Sequence, residues 1–341
     1  MKRVMQVMAG AHHGGAEAFF TRLAVALGAA GLEQSIVIRR DAQRAQLLRE
    51  GGIDPVEAPF RSFLDWRTPR VLKHEVRRFK PDVLLAWMNR ATDFCRPGRY
   101  VFAARLGGYY DPKHYRRCDH LVANTEDIRQ WLIAQGFAPE RVHYLPNFAE
   151  GRPMRPLQRA TFETPEDAPL LLCLGRMHPN KAFDVALEAL AELPGAYLWL
   201  AGEGPERAGL GAKVAQLGIA DRVRFIGWRD DVPALLASAD MLVCPSRHEP
   251  LGNVIIEGWA HGCPVVASSA AGPRWLIRHG LDGLLVPIDD AQALAAALRR
   301  LIEDRELGRA LAAAGRARIE SEFSESVVVA RYLEFFERVR R

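Results

Sequence analysis

Short apolar runs alternate with amphipathic stretches along almost the whole chain. In the first half, runs of five or six residues have the length and composition of β-strands; they lie at 4–8, 34–38, 82–86, 100–105 and 120–124. Helical periodicity separates them, with clear examples at 16–30, 69–79 and 126–135. This alternation predicts a parallel sheet covered by helices on both faces.

The same alternation resumes in the second half. Strand-like runs lie at 170–174, 197–201, 223–226, 241–243, 264–267 and 284–286, with helical stretches such as 184–191 and 289–302. Residues 146–169 carry five prolines among polar residues, which is the composition of a linker. We therefore predict two doubly wound α/β domains; the expected boundaries are 1–150 for the first domain, 151–168 for the linker, 169–322 for the second domain and 323–341 for a last helix.

Charge is distributed unevenly between the halves. Residues 1–150 carry 23 Lys and Arg against 16 Asp and Glu, whereas the remainder carries 23 against 25. The basic first half indicates an anionic partner, for which a phosphorylated acceptor, an anionic membrane surface and nucleic acid are the candidates. We expect no nucleic acid, because no basic module interleaved with aromatic residues is present.

Other features of the composition restrict the class of protein. No apolar run approaches the roughly 20 residues that span a bilayer, and the first residues lack the apolar stretch of a signal peptide, so a cytoplasmic location is expected. None of the five cysteines forms a CxxC pair. We predict reduced thiols in cores or loops rather than a metal or redox site.

The strongest candidate site is the segment RHEPLGNVIIE at 247–257. An apolar strand precedes it and a helix is predicted to begin near Asn253 or Val254, so Glu249 lies in the loop and Glu257 about one turn into the helix. Free N–H groups and the positive dipole end at a helix N-terminus favour an anion such as a diphosphate. The two carboxylates would accept hydrogen bonds from sugar hydroxyls. An ordinary loop glutamate followed by a first-turn glutamate remains an alternative.

Two further candidates follow other strands. Arg176 projects from the end of one strand and Lys181 precedes the next helix, which is the arrangement of a phosphate clamp; solvated loop charges are the alternative. Gly14 and Gly15 follow the first strand and permit close approach to a phosphate or sugar, although an ordinary strand–helix turn has the same composition. The segment GEGP at 202–205 is predicted to form a turn.

In this order, the segments resemble those of the retaining, glycogen-synthase-like (group 1) glycosyltransferases, and in particular bacterial transferases of lipopolysaccharide and other cell-surface polysaccharides. The matching segments are GGAE at 14–17, GRMHPNK at 175–181, AGEGPE at 201–206, VRFIGW at 223–228, ADMLVCPSRHEPLGNVIIE at 239–257, GCPVVAS at 262–268 and GLLVP at 283–287. The resemblance spans essentially the whole chain. It implies the GT-B fold, two Rossmann-like domains facing a central cleft, with the last helix returning to the first domain.

The resemblance also implies a role for each site residue. Glu249 would contact the donor sugar near its reacting carbon, and Glu257 would hold the ribose of the nucleotide. Arg176 and Lys181 would bind the diphosphate and stabilise charge on the leaving group. The phosphate cradle would be completed by backbone groups of Gly14, Gly15, Leu251, Gly252, Asn253 and Val254. The sugar's anomeric configuration would be retained, and no metal would be required.

One departure concerns the first domain. Many relatives carry a histidine after its fifth strand, whereas this chain reads RLGGYY from Arg105 onward and has no histidine there before His114. Either a backbone carbonyl takes the role, or Arg105, Tyr109 or His114 replaces the histidine. His12 and His13 are further candidates.

Residues 65–80 are the candidate membrane contact. They carry six basic residues against two acidic ones, with Leu72, Val76 and Phe79 at helical spacing and Trp66 just ahead. A basic amphipathic helix of this kind suits an anionic leaflet. A surface helix packed on the sheet, with a solvated basic face, is the alternative.

The expected activity is transfer of a hexosyl or N-acetylhexosaminyl group from a nucleotide-sugar to a cell-surface glycan or lipid-linked acceptor such as the lipopolysaccharide core. UDP is the commonest donor nucleotide of the family, and GDP and ADP stay open. No cofactor besides this donor is expected. A catalytically inactive relative that acts as a binding partner, or a sugar-nucleotide epimerase, is the alternative.

Overall fold

A computed structural model describes residues 2–11, 14–61, 65–149, 151 and 154–339 of the chain. The chain divides into two units, one formed by Met1–Phe148 with Glu325–Arg341 and the other by Ala149–Ser324. Each unit contains one sheet in which every strand pairing is parallel. Apolar clusters lie on both sides of each sheet, as expected for doubly wound α/β folds.

The first unit has a seven-stranded sheet in the order β3-β2-β1-β4-β5-β6-β7. Its strands are β1 (Val4–Met8), β2 (Gln34–Arg39), β3 (Val56–Ala58), β4 (Val83–Trp87), β5 (Val101–Leu106), β6 (His120–Ala123) and β7 (Val142–Tyr144). The helices between them are α1 (Gly15–Ala29), α2 (Ala42–Glu50), α3 (Arg67–Phe79), α4 (Met88–Phe94) and α5 (Glu126–Ala134). Side chains alternate between the two cores, so Val4 and Met8 pack on one side of β1 and Met5 and Val7 on the other.

The second unit has a six-stranded sheet in the order β10-β9-β8-β11-β12-β13. Its strands are β8 (Leu170–Leu174), β9 (Tyr197–Ala201), β10 (Val223–Gly227), β11 (Met241–Cys244), β12 (Val265–Ser268) and β13 (Leu284–Val286). Its helices are α6 (Phe183–Ala191), α7 (Arg207–Gln216), α8 (Val232–Ser238), α9 (Asn253–Ala260), α10 (Ala271–Leu276), α11 (Ala291–Glu303) and α12 (Arg305–Arg318). Strands β8 and β11 are nearly continuous apolar runs because both of their faces are covered.

The last helix, α13 (Glu325–Arg338), belongs to the first unit. Val328, Tyr332, Phe335 and Phe336 are buried in the same apolar cluster as residues of α1 and β1. The hydroxyl of Tyr332 accepts a hydrogen bond from Nε of the buried Arg105, at 2.8 Å. Helix α13 therefore contributes to the same core as α1 and β1.

Residues 154–168, within the predicted linker, lie in the second unit. The backbone N–H of Leu157 donates to Oγ of Ser238 at 2.7 Å, and Phe162 packs against Trp199 with ring centroids 4.9 Å apart. Arg159 donates to the carbonyl oxygens of Ser238 and Ala168. The first unit ends at Phe148, within the proline-rich residues 146–169, and these contacts attach the rest of that segment to the second unit.

Helix α3 packs its apolar side on the first unit. Leu72 is buried, and Val76 and Phe79 pack against the apolar cluster of the sheet. The buried carboxylate of Glu75 accepts a hydrogen bond from Ser35 Oγ at 2.7 Å. The apolar residues of the helix expected to dock on an anionic leaflet are thus packed within the first unit, and the exposed side of α3 is basic. None of the helices in the described part of the chain is long and apolar enough to cross a membrane.

Candidate active site

The candidate site lies at the carboxyl edge of the second sheet, where β8 and β11 end side by side. The strand order reverses at β8, since the chain moves outward to β9 on one side and returns to β11 on the other. Loops at such a point diverge and leave a crevice for a ligand. The loop that follows β8 carries Arg176 and Lys181, and the loop that follows β11 carries Glu249.

Hydrogen bonds and ion pairs hold these two loops together. The backbone N–H groups of Arg247 and His248 donate to the carbonyl oxygen of Asn180, at 2.9 and 3.2 Å. The Arg247 guanidinium also binds both carboxylate oxygens of Asp184, at 3.0 and 2.7 Å, and Asp289 at 2.5 Å. Burial opposes ionisation of Asp184, but the Arg247 hydrogen bonds prevail and lower the pKa of this carboxyl. Arg247 therefore braces the site, a role that its loop position alone did not indicate.

Lys181 and Glu249 form an ion pair at the centre of the site. Nζ of Lys181 donates to Oε2 of Glu249, whose side chain is only 11% exposed. The other carboxylate oxygen, Oε1, accepts from the N–H of Gly252 at 3.1 Å. Burial disfavours the charged lysine, but the carboxylates of Glu249 and Glu257 outweigh it and raise the pKa of Lys181. Lys181 is therefore a fixed cation at neutral pH.

Helix α9 begins beside this ion pair. Gly252 precedes it with φ 87°, a conformation that a side chain would strain. The backbone N–H groups of Leu251 and Val254 have no acceptor among the residues that the structure describes. Unsatisfied N–H groups at a helix N-terminus provide the donors that an anion requires.

Glu257 and Arg176 complete the set predicted from the sequence for this unit. Glu257 lies half-buried on α9, one turn beyond Asn253, and its charge acts on Lys181. Arg176 is exposed and makes no ion pair with any described residue. The structure thus brings Lys181, Glu249 and Glu257 together and leaves Arg176 free beside them, on the same loop as Lys181.

Two glycines after β9 let another loop support this one. A Cβ at Gly202 would overlap the carbonyl oxygen of Gly175, and one at Gly204 would overlap that of Met177. The N–H of Met177 donates to the carbonyl oxygen of Glu203 at 2.9 Å. The segment 202–205, predicted only as a turn, therefore packs against the backbone of residues 175–177 and helps to position the loop that carries Arg176.

In the first unit, Gly14 and Gly15 stand where α1 begins, at the carboxyl edge of that sheet. Gly14 is exposed and precedes the first helical residue, Gly15. The Glu17 carboxylate accepts a hydrogen bond from the N–H of Ala11 at 2.9 Å, and it occupies the space that a Cβ on Gly10 or Gly14 would take. The turn thus requires glycine for a close approach by its own chain. His12 and His13 lie outside the described residues.

The candidate replacements for the family histidine differ in their environments. Arg105 as a site residue is wrong: it is 1% exposed, binds Tyr332 and Asn147, and lies over the rings of Phe19 and Trp87. A strand residue whose side chain points into a core cannot reach a ligand at the sheet edge. Tyr109 donates to Asp127, and His114 Nδ1 lies 2.8 Å from Asp93. Both of these side chains already have protein partners.

The cysteines are buried thiols, as predicted. All five are free, and burial raises the pKa of the Cys118 and Cys263 thiols to about 12 and of Cys244 to about 11. Protonated thiols of this kind are inert. Within the described residues, no group of three or more His, Cys, Asp and Glu side chains is arranged to hold a metal ion.

Known proteins with similar sequences carry a consistent description. Residues 168–304 match the family "Glycosyl transferases group 1", and residues 13–150 match "Glycosyltransferase Family 4". The chain is 38% identical to the lipopolysaccharide core biosynthesis glycosyltransferase LpsE of Rhizobium meliloti, over 94% of this chain and 95% of that protein. It is also 38% identical to LpsD of the same organism, over 98% of each.

Solved structures show the same fold. The Anabaena protein HepE, crystallised in complex with UDP and glucose, superposes with a TM-score of 0.84 at 21% identity. The match covers 99% of this chain and 100% of that one. This agreement confirms the predicted fold of two Rossmann-like units.

Proposed function

This chain belongs to the group 1 glycosyltransferases and has the GT-B fold, and we propose that it transfers a hexosyl or N-acetylhexosaminyl group from a UDP-sugar, with retention of anomeric configuration. The observation that carries the proposal is the Lys181–Glu249 pair at the N-terminus of α9, with Arg176 free beside it. UDP is favoured because HepE, which shares the fold, was crystallised with UDP and glucose.

The cations act on the diphosphate of the donor. Arg176 is free to form paired hydrogen bonds to phosphate oxygens, and Lys181 supplies a second charge that is already fixed in place. The backbone of Leu251–Val254 at the start of α9 provides further contacts to the donor. These groups stabilise charge on the leaving diphosphate. They supply the positive charge that a divalent ion supplies in other transferases, and we propose a metal-independent reaction.

The carboxylates act on the sugars of the donor. Glu249 accepts hydrogen bonds from the transferred sugar, and Glu257 accepts them from the ribose. The bond between the anomeric carbon and the diphosphate breaks as the acceptor oxygen bonds to that carbon on the same face. The proton of the acceptor hydroxyl passes to an oxygen of the departing diphosphate. No protein side chain needs to serve as the base in this scheme.

The acceptor is a cell-surface glycan or a lipid-linked saccharide such as the lipopolysaccharide core, held by the first unit. LpsE and LpsD, both named for lipopolysaccharide core biosynthesis, support this class. We place the reaction at the cytoplasmic face of the membrane, with residues 65–80 in peripheral contact. Because α3 packs its apolar side inward, this contact is electrostatic and weakens as salt rises.

Calorimetry with UDP, GDP and ADP tests the donor site. Wild-type protein is expected to bind UDP, and Arg176→Ala is expected to bind it at least about tenfold more weakly, because a charged hydrogen bond contributes about 1.5–3 kcal/mol. Arg300→Ala, which removes an exposed arginine of α11, is the matched control and should bind as wild type does. Folded protein that binds none of the three nucleotides would contradict the proposal.

Product analysis separates transfer from the two alternatives. A transferase hydrolyses its UDP-sugar slowly without an acceptor and releases a sugar whose configuration, read by NMR at early times, is that of the donor. Binding without turnover would indicate an inactive relative. An altered sugar still attached to UDP would indicate an epimerase.

A further inference from the structure

A cavity lies in the first unit, at the carboxyl edge of its sheet. It has a volume of about 410 Å³ and lies where β2 and β3 end and α3 begins. Its lining is Arg39, Arg40, Pro59, Arg61, Asp65, Trp66 and Arg67. Ligands of doubly wound sheets bind at this edge, because the loops that follow the strands diverge there.

Positive charges outnumber negative ones among the described residues that line this cavity. Four arginines line it, and none of their guanidinium groups forms an ion pair with another residue of the described chain. The single carboxylate, Asp65, is already used: it accepts hydrogen bonds from the backbone N–H groups of Arg61 and Arg67 and from the hydroxyl of Thr68. Like charges gathered in a cavity repel each other unless an anion enters.

The start of α3 adds to this imbalance. Its first turn contains Arg67 and Arg70 and no acidic residue, although the positive end of a helix dipole disfavours cations. The guanidinium carbons of these two arginines lie 5.3 and 4.4 Å from the ring centroid of the exposed Trp66. The indole of Trp66, which lines the cavity, therefore holds both cations close to its ring by cation–π contact.

We propose that this cavity binds a phosphate or carboxylate group carried by the acceptor saccharide. Planar guanidiniums bind both kinds of group through paired hydrogen bonds. The volume is that of a small-molecule site and accommodates a sugar residue together with its charged group. The assignment rests on the proposed transfer to a glycan acceptor, and it specifies that this acceptor carries an anionic group.

A concave cavity differs from the outward side of α3, which faces solvent with Lys73, Arg77 and Lys80. A membrane surface is attracted by such an exposed row of charge and does not need a cavity. The two features therefore predict different ligands: soluble charged sugars for the cavity, and anionic vesicles for the outer side of the helix.

Titration of the full-length protein with glucose 6-phosphate, glucuronate, glucose and inorganic phosphate tests the proposal. Both charged sugars should bind and glucose should not. Binding should weaken at least tenfold in the double variant Arg40→Gln/Arg61→Gln. The control Arg99→Gln/Arg300→Gln removes the same charge from exposed arginines that do not line the cavity, and it should bind as wild type does.

Each other outcome has a definite meaning. Equal weakening in both double variants would overturn the cavity as the binding site, since net charge alone would explain the result. Inorganic phosphate that binds as tightly as glucose 6-phosphate would overturn the saccharide assignment. Failure of both charged sugars to bind would also overturn it. If attachment of the same protein to vesicles with 30% anionic lipid depends on Arg40 and Arg61, these arginines bind a membrane surface instead. UDP titration is run in parallel: charged-sugar binding without UDP binding would contradict the donor proposal and leave the cavity assignment intact.

Discussion

At the scale of single residues, the proposed donor site is centred on a lysine and a glutamate that neutralise each other. Glu249 is almost buried, and its two oxygens are bound by Lys181 and by the N–H of Gly252. Removing a carboxylate held in this way affects the charge balance and the loop shape together. An isosteric change separates the two effects, because a glutamine retains an oxygen for Gly252 and loses the charge.

We expect Glu249→Gln to lower kcat by about 10²–10³-fold, the usual loss when one preorganised polar group at a reacting centre is removed. UDP affinity should change little, because Arg176 and Lys181 remain. Steady-state kinetics and UDP calorimetry on the same preparation measure both. Glu188→Gln breaks the comparable Lys213–Glu188 pair between α7 and α6 and should retain full turnover. A Glu249→Gln enzyme with wild-type kcat would remove Glu249 from the mechanism.

At the scale of elements, the edge formed by β6, β7 and α13 contains two histidines in contact. Nδ1 of His120 lies 3.0 Å from Nε2 of His143, and the ring of Phe335 packs 4.9 Å from that of His143. Burial, and then the charges of His120, Arg338 and Arg129, lower the pKa of His143 to about 4. The folded protein therefore holds this imidazole neutral at a pH where the unfolded chain protonates it.

This difference predicts an acid-sensitive stability. Between pH 6.5, the ordinary histidine pKa, and about 4, the unfolded state binds one more proton at His143 than the folded state, so stability falls as pH falls. The melting temperature of the first unit should therefore fall less steeply across this window in His143→Gln than in wild type. His74→Gln, on the exposed side of α3, should keep the wild-type slope. Equal slopes in all three proteins would show that His143 is not the titrating group.

At the scale of the whole molecule, the first unit is built from both ends of the chain. Val328, Tyr332, Phe335 and Phe336 of α13 pack in the core that contains Phe19 and Phe20 of α1. Contacts separated by some 300 positions in sequence must form before this core is complete. The residues of the proposed donor site all belong to the other unit; they are Arg176, Lys181, Glu249 and Glu257.

We expect Phe336→Ala to lower the free energy of unfolding of the first unit by about 3–5 kcal/mol, the usual cost of truncating a buried phenylalanine. Urea unfolding followed by tryptophan fluorescence measures it, with Trp87 as the buried reporter of this core. UDP binding should persist. Glu334→Ala, an exposed position on the same helix, should change stability by less than about 0.5 kcal/mol. Unchanged stability in Phe336→Ala would show that α13 is dispensable for the first core.

The sequence by itself determined the fold class and most of its elements. Apolar runs such as those at 170–174 and 197–201 became strands at the predicted residues, because a strand covered on both faces must be apolar throughout. The short strands β3 and β7 were missed because each carries a polar residue at its centre, whereas the equally short β13 is apolar throughout and was predicted. The grouping of Arg176, Lys181, Glu249 and Glu257 could likewise be predicted from the sequence. Each residue follows a predicted strand, and the carboxyl ends of parallel strands meet at one edge of a sheet.

Only the tertiary structure decided which side chains meet and which are already occupied. Arg105 and Arg40 are both arginines at strand ends in the sequence, yet one is buried against Tyr332 and the other lines a cavity. The bracing of the candidate-site loops by Arg247 is likewise visible only in three dimensions, as is the cluster of arginines near Trp66 that form no ion pair within the described chain. Such pairings depend on distances between segments far apart in sequence, and local propensity carries no information about them.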